Sequence, residues 1–329
     1  MRILFAGTPD VAVASLRLLA QAGGDIEVVG VLTRPDAPQG RGRKLAPSPV
    51  KVAAQELGIP VLDKNPRDPG FLEDLTAFGA QAAAVVAYGN ILSAQVLAAM
   101  PQGWYNLHFS LLPQWRGAAP VQRAIWSGDT LTGVTVFRIT EGMDEGPILA
   151  QSTTEIGAHE TSGELFARLA EDGGHLLCSA MELVAQGRAV LVPQEPGAFE
   201  VAAKIRTDDA RIRFDVPVFA ADRQIRACTP EPGAWCMVHS SASEADAAGV
   251  KLHVDEARPV DDVSTVPADV AQQLAQGKPG ALVTSKKHVW VCTRTQPLEL
   301  LRVKPQGKRS MPAADWARGA HLTPEAYCD

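Results

Sequence analysis

Ala82-Ala83-Ala84-Val85-Val86-Ala87 is the run that decides the architecture. Six consecutive apolar residues leave no polar face, as expected of a strand covered on both sides in a parallel sheet. Working outward, Arg2–Ala6, Glu27–Leu32 and Trp104–His108 also read as strands. Val11–Ala22, Val50–Leu57 and Ala94–Met100 carry apolar residues at helical spacing, the second ending at Gly58 before Ile59-Pro60-Val61-Leu62. This alternation predicts an α/β fold with a Rossmann-like, doubly wound, mostly parallel sheet.

Val134–Ile139 and Ile148–Thr153 then form a hairpin-like pair. Ser162–Gln186 predicts a helix, with Thr161 or Ser162 as its cap and Glu164 in the first turn. Beyond it the pattern changes. Short strand-like runs follow at Trp235–Val238, Val250–Val254, Ala281–Thr284, Val289–Thr293 and Leu298–Val303, separated by turn formers. They predict a small OB-like β-barrel. The expected division is a catalytic domain over 1–187, a linker over 188–207 and a barrel over 208–329. Ser240–Gly249 reads as a polar insertion.

Composition narrows the function. No apolar run approaches the ~18 residues of a membrane span. The apolar part of Met1–Gly7 is too short for a signal peptide. Five cysteines, odd in number and without a CxxC pair, suggest neither a disulfide framework nor a zinc site. A reduced, cytoplasmic, metal-free protein is expected, and a monomer. Gly7-Thr8-Pro9-Asp10 follows the first strand but is not GxGxxG, which disfavours dinucleotide chemistry. Thr8 or Asp10 reads either as a helix cap or as a ligand-lining residue.

Asn106-Leu107-His108-Phe109-Ser110-Leu111-Leu112-Pro113 carries the chemistry. On an extended backbone Asn106, His108 and Ser110 share one face. Asp144 lies between Gly142 and Gly146, either as an Asx turn or as a partner for His108. An amide, an imidazole and a carboxylate can polarise a carbonyl, move a proton and orient the imidazole. None is a strong nucleophile here, so direct group transfer without a covalent enzyme intermediate is expected, with Ser110 in a supporting role.

The net charge of −6 disfavours nucleic-acid binding by the whole chain. Charge is uneven, however. Arg34, Arg41, Arg43, Lys44 and Lys51 form a basic island opposed only by Asp36, with Arg41, Arg43 and Lys44 inside the Pro/Gly-rich segment from Pro35 to Pro49. A loop of that length reads as functional, and glycines beside arginines let a backbone approach phosphates. Lys304, Lys308 and Arg309 form a second cluster, suggesting a two-handed grip on a polyanion.

The stretch Asn106-x-His108-x-Ser110-Leu-Leu-Pro, followed by Trp115-Arg116-Gly117-Ala118-Ala119-Pro120-Val121-Gln122, resembles the folate-dependent formyltransferases. Gly133-Val134-Thr135-Val136, Met143-Asp144-Glu145-Gly146 and Val85-Val86-Ala87-Tyr88-Gly89 fit the same family. The loop Gly40–Lys51, Ala203-Lys204-Ile205 and Pro305-x-Gly307-Lys308-Arg309-x-Met311 resemble the branch acting on charged initiator tRNA. The resemblance spans nearly the whole chain. It implies 10-formyltetrahydrofolate as formyl donor and the free α-amine of methionyl initiator tRNA as acceptor. It implies catalysis by Asn106, a protonated His108 and Asp144. It places folate near Tyr88, Gly89, Asn90, Ile91 and Leu92, with Ser110, Leu111, Leu112 and Pro113. It places the tRNA acceptor stem on Arg41, Arg43, Lys44 and Lys51, with Lys204, Lys304, Lys308 and Arg309 contributing from the linker and barrel. The chain departs from the family pattern at Val11, Asn90, Ser93 and Arg138. The catalytic trio alone fits equally a formyl transfer to a nucleotide-linked amino sugar or a small amine, and a folate-linked hydrolase, with water in place of the amine, is a second alternative. An RNA-binding module without catalysis fits less well.

Overall fold

The computed structural model describes residues 1–39, 44–197, 199–241 and 248–329. Contacts divide it into two compact units. One comprises Met1–Pro120, Leu131–Glu155 and Phe166–Ala202, the other Val121–Thr130, Ile156–Leu165 and Ala203–Asp329.

The strands of the first unit are β1 (Arg2–Gly7), β2 (Glu27–Leu32), β3 (Ala37–Gln39), β4 (Lys44–Ala46), β5 (Val61–Leu62), β6 (Ala82–Val86), β7 (Gly103–His108), β8 (Arg116–Gly117), β9 (Leu131–Arg138), β10 (Ile148–Glu155) and β11 (Val201–Ala202). Seven of them form one sheet in the order β10-β9-β7-β6-β1-β2-β5. β5, β2, β1, β6 and β7 are parallel, and β9 and β10 extend the sheet antiparallel. This is the expected Rossmann-like arrangement, with an antiparallel edge. Every residue of β6 is buried, as its unbroken apolar sequence requires.

Strand order reverses between β1 and β6, so the topological switch point lies at their carboxyl ends. Thr8, one residue past β1, donates its hydroxyl to the Tyr88 carbonyl beyond β6 at 2.9 Å. Neither Thr8 nor Asp10 caps the helix Val13–Ala22, which follows a short 3-10 turn over Asp10–Ala12. The cap reading is corrected: the Thr8 hydroxyl is spent bridging two strand ends.

The Pro35–Pro49 segment is less irregular than its composition implies, because β3 and β4 pair antiparallel as a ribbon. The helix Ser162–Ala185 starts with a capping box: Thr161 N donates to Glu164 Oε2 at 2.9 Å, and Glu164 N to Thr161 Oγ1 at 3.3 Å.

In the second unit, β12 (Trp235–His239), β13 (Val250–Pro259), β14 (Leu282–Thr284), β15 (Val289–Val291), β16 (Leu298–Pro305), β17 (Met311–Pro312) and β18 (Tyr327–Cys328) form an antiparallel sheet. Its order is β14-β15-β16-β13-β12-β18, with β17 beside β16. An antiparallel bridge between Ala281 and Tyr327 joins the two ends and nearly closes a barrel. Three helices not expected from the sequence accompany it, at Val218–Cys228, Ala268–Gln276 and Ala313–Gly319.

Candidate active site

β7 lies between β6 and β9, with Asn106 opposite Val85 and Phe137, and His108 opposite Thr135. Leu107 points to the other face, where its methyls fill the space beside Gly173 of the helix Ser162–Ala185. Asn106 and His108 therefore share the face away from that helix. Asn106 is half-buried, and its side chain bonds to no other described residue.

His108 is buried. Its Nε2 lies 2.9 Å from the carbonyl oxygen of Trp115, and its Nδ1 lies 3.8 Å from Asp144 Oδ2. A carbonyl can only accept, so Nε2 carries the proton. In the neutral ring Nδ1 is then the basic nitrogen, and it faces the carboxylate. Burial pushes the His108 pKa below its ordinary value, outweighing the opposite pull of Asp144 and of the Trp115 carbonyl. That direction runs against the expectation of a protonated His108. A lowered pKa favours the neutral imidazole.

Asp144 sits on the β9–β10 hairpin in a left-handed conformation, φ 52°. Its Oδ2 accepts the Gly117 N–H at 2.9 Å. Of the two flanking glycines, Gly146 is the one the hairpin needs: a Cβ there would collide with the Arg138 carbonyl oxygen. At Gly142 the atoms nearest a Cβ would belong to the flexible Glu145 side chain.

Several site-building residues are invisible to motif reading. Gln194 donates Nε2 to the carbonyls of Asp144 and Gly146, both at 2.8 Å. Its Oε1 accepts from Arg116 Nε at 3.0 Å and Nη2 at 2.7 Å. Trp115 N donates to the Glu200 carbonyl at 3.2 Å, and β11 pairs with β8. Val192 forms an antiparallel bridge with Ile148. The segment read as a linker thus straps both loops of the site.

Ser110 braces its own loop, donating Oγ to the Gln114 carbonyl at 2.7 Å. Thr135 Oγ1 donates to the Ser110 carbonyl at 2.7 Å and accepts Leu112 N at 3.1 Å. Gln151 Nε2 donates to the Leu112 carbonyl and to Thr135 Oγ1, both at 2.9 Å. Leu111 and Pro113 are half-exposed beside the buried Leu112.

At the switch point, the buried Tyr88 hydroxyl and Asn90 amide lie beside each other, and neither bonds to a third described residue. Burial raises the Tyr88 pKa, partly offset by the Asn90 amide and the Arg34 guanidinium nearby. The backbone N–H groups of Gly89, Asn90, Ile91 and Leu92 bond to no described residue. Ile91 is 88% exposed, whereas Leu92 packs into the core.

The basic residues divide. Arg41 and Arg43 lie outside the described residues. Lys44 is exposed on β4. Lys51 is not a free charge: its ammonium sits 2.7 Å from both Asp36 and Asp63, which raise its pKa. These two partly exposed carboxylates compete with a phosphate for its charge. Lys204 is exposed. On the barrel, Lys304, Lys308 and Arg309 are exposed. Lys304 is opposite His253, and Lys251 Nζ lies 3.8 Å over the Trp235 ring. Among the described residues, no cluster suits a metal ion and no helix is long and apolar enough to cross a membrane.

The family model of formyl transferase matches residues 1–181, and that of the formyl transferase C-terminal domain matches 204–321. The chain belongs to the formyltransferase family. Family members transfer formyl groups, and this chain is a formyl-transferring enzyme. Methionyl-tRNA formyltransferase of Bifidobacterium adolescentis is 62% identical, covering 100% of both chains. Methionyl-tRNA formyltransferase of Mycobacterium sp. (strain KMS) is 47% identical over 98% of each chain. Among solved structures, the N-formyltransferase from Helicobacter canadensis, in complex with folinic acid and dTDP-3-aminofucose, matches with a TM-score of 0.62. It is 16% identical and covers 91% of this chain and 98% of its own. That likeness bears on the formyltransferase fold.

Proposed function

We propose that this enzyme transfers the formyl group of 10-formyltetrahydrofolate to the α-amine of methionyl initiator tRNA. The observation that carries the chemistry is the setting of His108, fixed through Nε2 and presenting Nδ1 beside Asp144, on the strand face it shares with the unbonded Asn106 amide. The acceptor is taken from the full-length likeness to methionyl-tRNA formyltransferases.

Folate binds at the switch point. The backbone N–H groups of 89–92, with the buried Tyr88 hydroxyl and Asn90 amide beside them, suit a ring bearing several hydrogen-bonding edges. The 110–113 loop, stiffened by Thr135 and Gln151, lines it further.

The neutral amine of the methionyl ester attacks the formyl carbon, whose oxygen gains negative charge. Asn106 donates a hydrogen bond to that oxygen, a contact typically worth ~3 kcal/mol in the transition state. The new C–N bond leaves a proton on the amine nitrogen, which passes to His108 Nδ1. The resulting imidazolium is stabilised by Asp144 at one nitrogen and by the Trp115 carbonyl at the other. As the tetrahedral centre collapses, the bond to folate N10 breaks, and the His108 imidazolium gives its proton to N10 and returns to the neutral ring. His108 thus accepts a proton during reaction and does not need one beforehand. Lys44 with Arg41 and Arg43, and Lys204, Lys304, Lys308 and Arg309, contact the phosphates of the tRNA acceptor stem and its surroundings.

The test is transfer of labelled formyl from 10-formyltetrahydrofolate to charged initiator tRNA, with charged elongator methionine tRNA alongside. Label in the initiator alone supports the reading. Label in neither, with folate still bound, removes the tRNA acceptor.

A further inference from the structure

Gln194 has no motif around it and lies in the segment joining the two halves of the sequence, yet it touches three parts of the site. Its partners determine its orientation. Backbone carbonyls only accept, so the nitrogen faces Asp144 O and Gly146 O; a guanidinium only donates, so the oxygen faces Arg116. An uncharged amide alone offers two N–H donors and a two-lone-pair oxygen from one planar group. Each of those four hydrogen-bonding positions is filled.

The consequence falls on Asp144. Its backbone is left-handed, which a non-glycine residue holds only when its surroundings over-determine it. The Gly117 N–H restrains the carboxylate and Gln194 the carbonyl, while Arg116 also pairs with the adjacent Glu145 at 3.5 Å. Gly117 in turn follows Arg116, which Gln194 holds by the guanidinium and β11 by the backbone. Gln194 therefore ties the loop that carries the carboxylate to the loop that receives it.

We propose that Gln194 is a positioning residue for formyl transfer, fixing Asp144 against His108 without touching substrate. The inference rests on the catalytic reading of Asp144. Gln194→Glu is the informative variant. It keeps volume and the Arg116 partner but turns an oxygen toward two carbonyl oxygens.

Formyl transfer to charged initiator tRNA is measured for Gln194→Glu, Gln194→Ala, Asp144→Ala and both double variants, with Tm as a folding check. In the Asp144-intact background, Gln194→Glu and Gln194→Ala are expected to lower kcat roughly 10- to 100-fold while KM for both substrates stays within about threefold. In the Asp144→Ala background, neither replacement at 194 slows the enzyme beyond about twofold, because the group it positions is gone. A Gln194→Glu enzyme with wild-type kcat overturns the proposal, as does a loss that multiplies with that of Asp144→Ala. If Asp144→Ala itself keeps wild-type kcat, the underlying catalytic reading falls instead.

Discussion

His108 and Asp144 face each other across 3.8 Å, and the imidazole's other nitrogen is held at 2.9 Å by the Trp115 carbonyl. One nitrogen is tied to backbone and the other is left to the reaction. Because burial depresses the His108 pKa, the resting ring is a base and not an acid.

That depression has a consequence for stability. Unfolded, the histidine titrates near 6.5; folded, it titrates lower. Between those values the unfolded chain binds more protons, so stability rises with pH there. The contribution is complete above the unfolded pKa and is lost as pH falls through the folded one. Thermal melts from pH 7.5 downward should show Tm falling below pH 6.5 in the wild type. The fall should be shallower in His108→Gln; identical slopes would contradict a neutral buried His108.

Asn106 makes no side-chain bond to another described residue, so its removal costs little fold stability. Asn106→Ala should lower kcat about 10²- to 10³-fold, the loss of one oxyanion donor. Its Tm should stay near that of the wild type. A large Tm drop with unchanged kcat would reassign Asn106 to structure.

Thr135 satisfies three groups around the 110–113 loop. Thr135→Val leaves the Leu112 N–H and Ser110 carbonyl without that partner, at a cost of about 1–3 kcal/mol. The account expects a lower Tm and a higher KM for the formyl donor. Unchanged donor KM would separate this loop from the folate site.

Lys51 is held by two carboxylates, each partly exposed. Solvent screening limits the contribution of such pairs to about 1 kcal/mol. Lys51→Met should therefore lower Tm by roughly 2 °C or more. Lys44→Ala should instead leave Tm unchanged and flatten the salt dependence of tRNA binding. The reverse pattern would return Lys51 to the RNA surface.

The sequence made local features legible. The unbroken apolar run at 82–87 marks a central strand, period-two spacing puts Asn106 and His108 on one face, and the Thr161/Glu164 pair marks a helix start. What stayed hidden depends on distant partners. Asp63 neutralises Lys51 from 12 residues away, and Gln194 reaches Asp144 across 50. The helix Val218–Cys228 was obscured because it buries Asp222 and Gln224 beside its apolar residues, blurring the amphipathic stripe. The direction of the His108 pKa shift was hidden because burial outweighs the pull of the neighbouring carboxylate.

The most direct test of the central claim is the single-turnover rate of formyl transfer to charged initiator tRNA by Asp144→Ala and by the His108→Ala/Asp144→Ala double variant. The account expects Asp144→Ala to be slower by about 10²-fold or more, and the double variant to lose no more than His108→Ala alone, because the pair acts as one unit. A near wild-type rate in Asp144→Ala would contradict it.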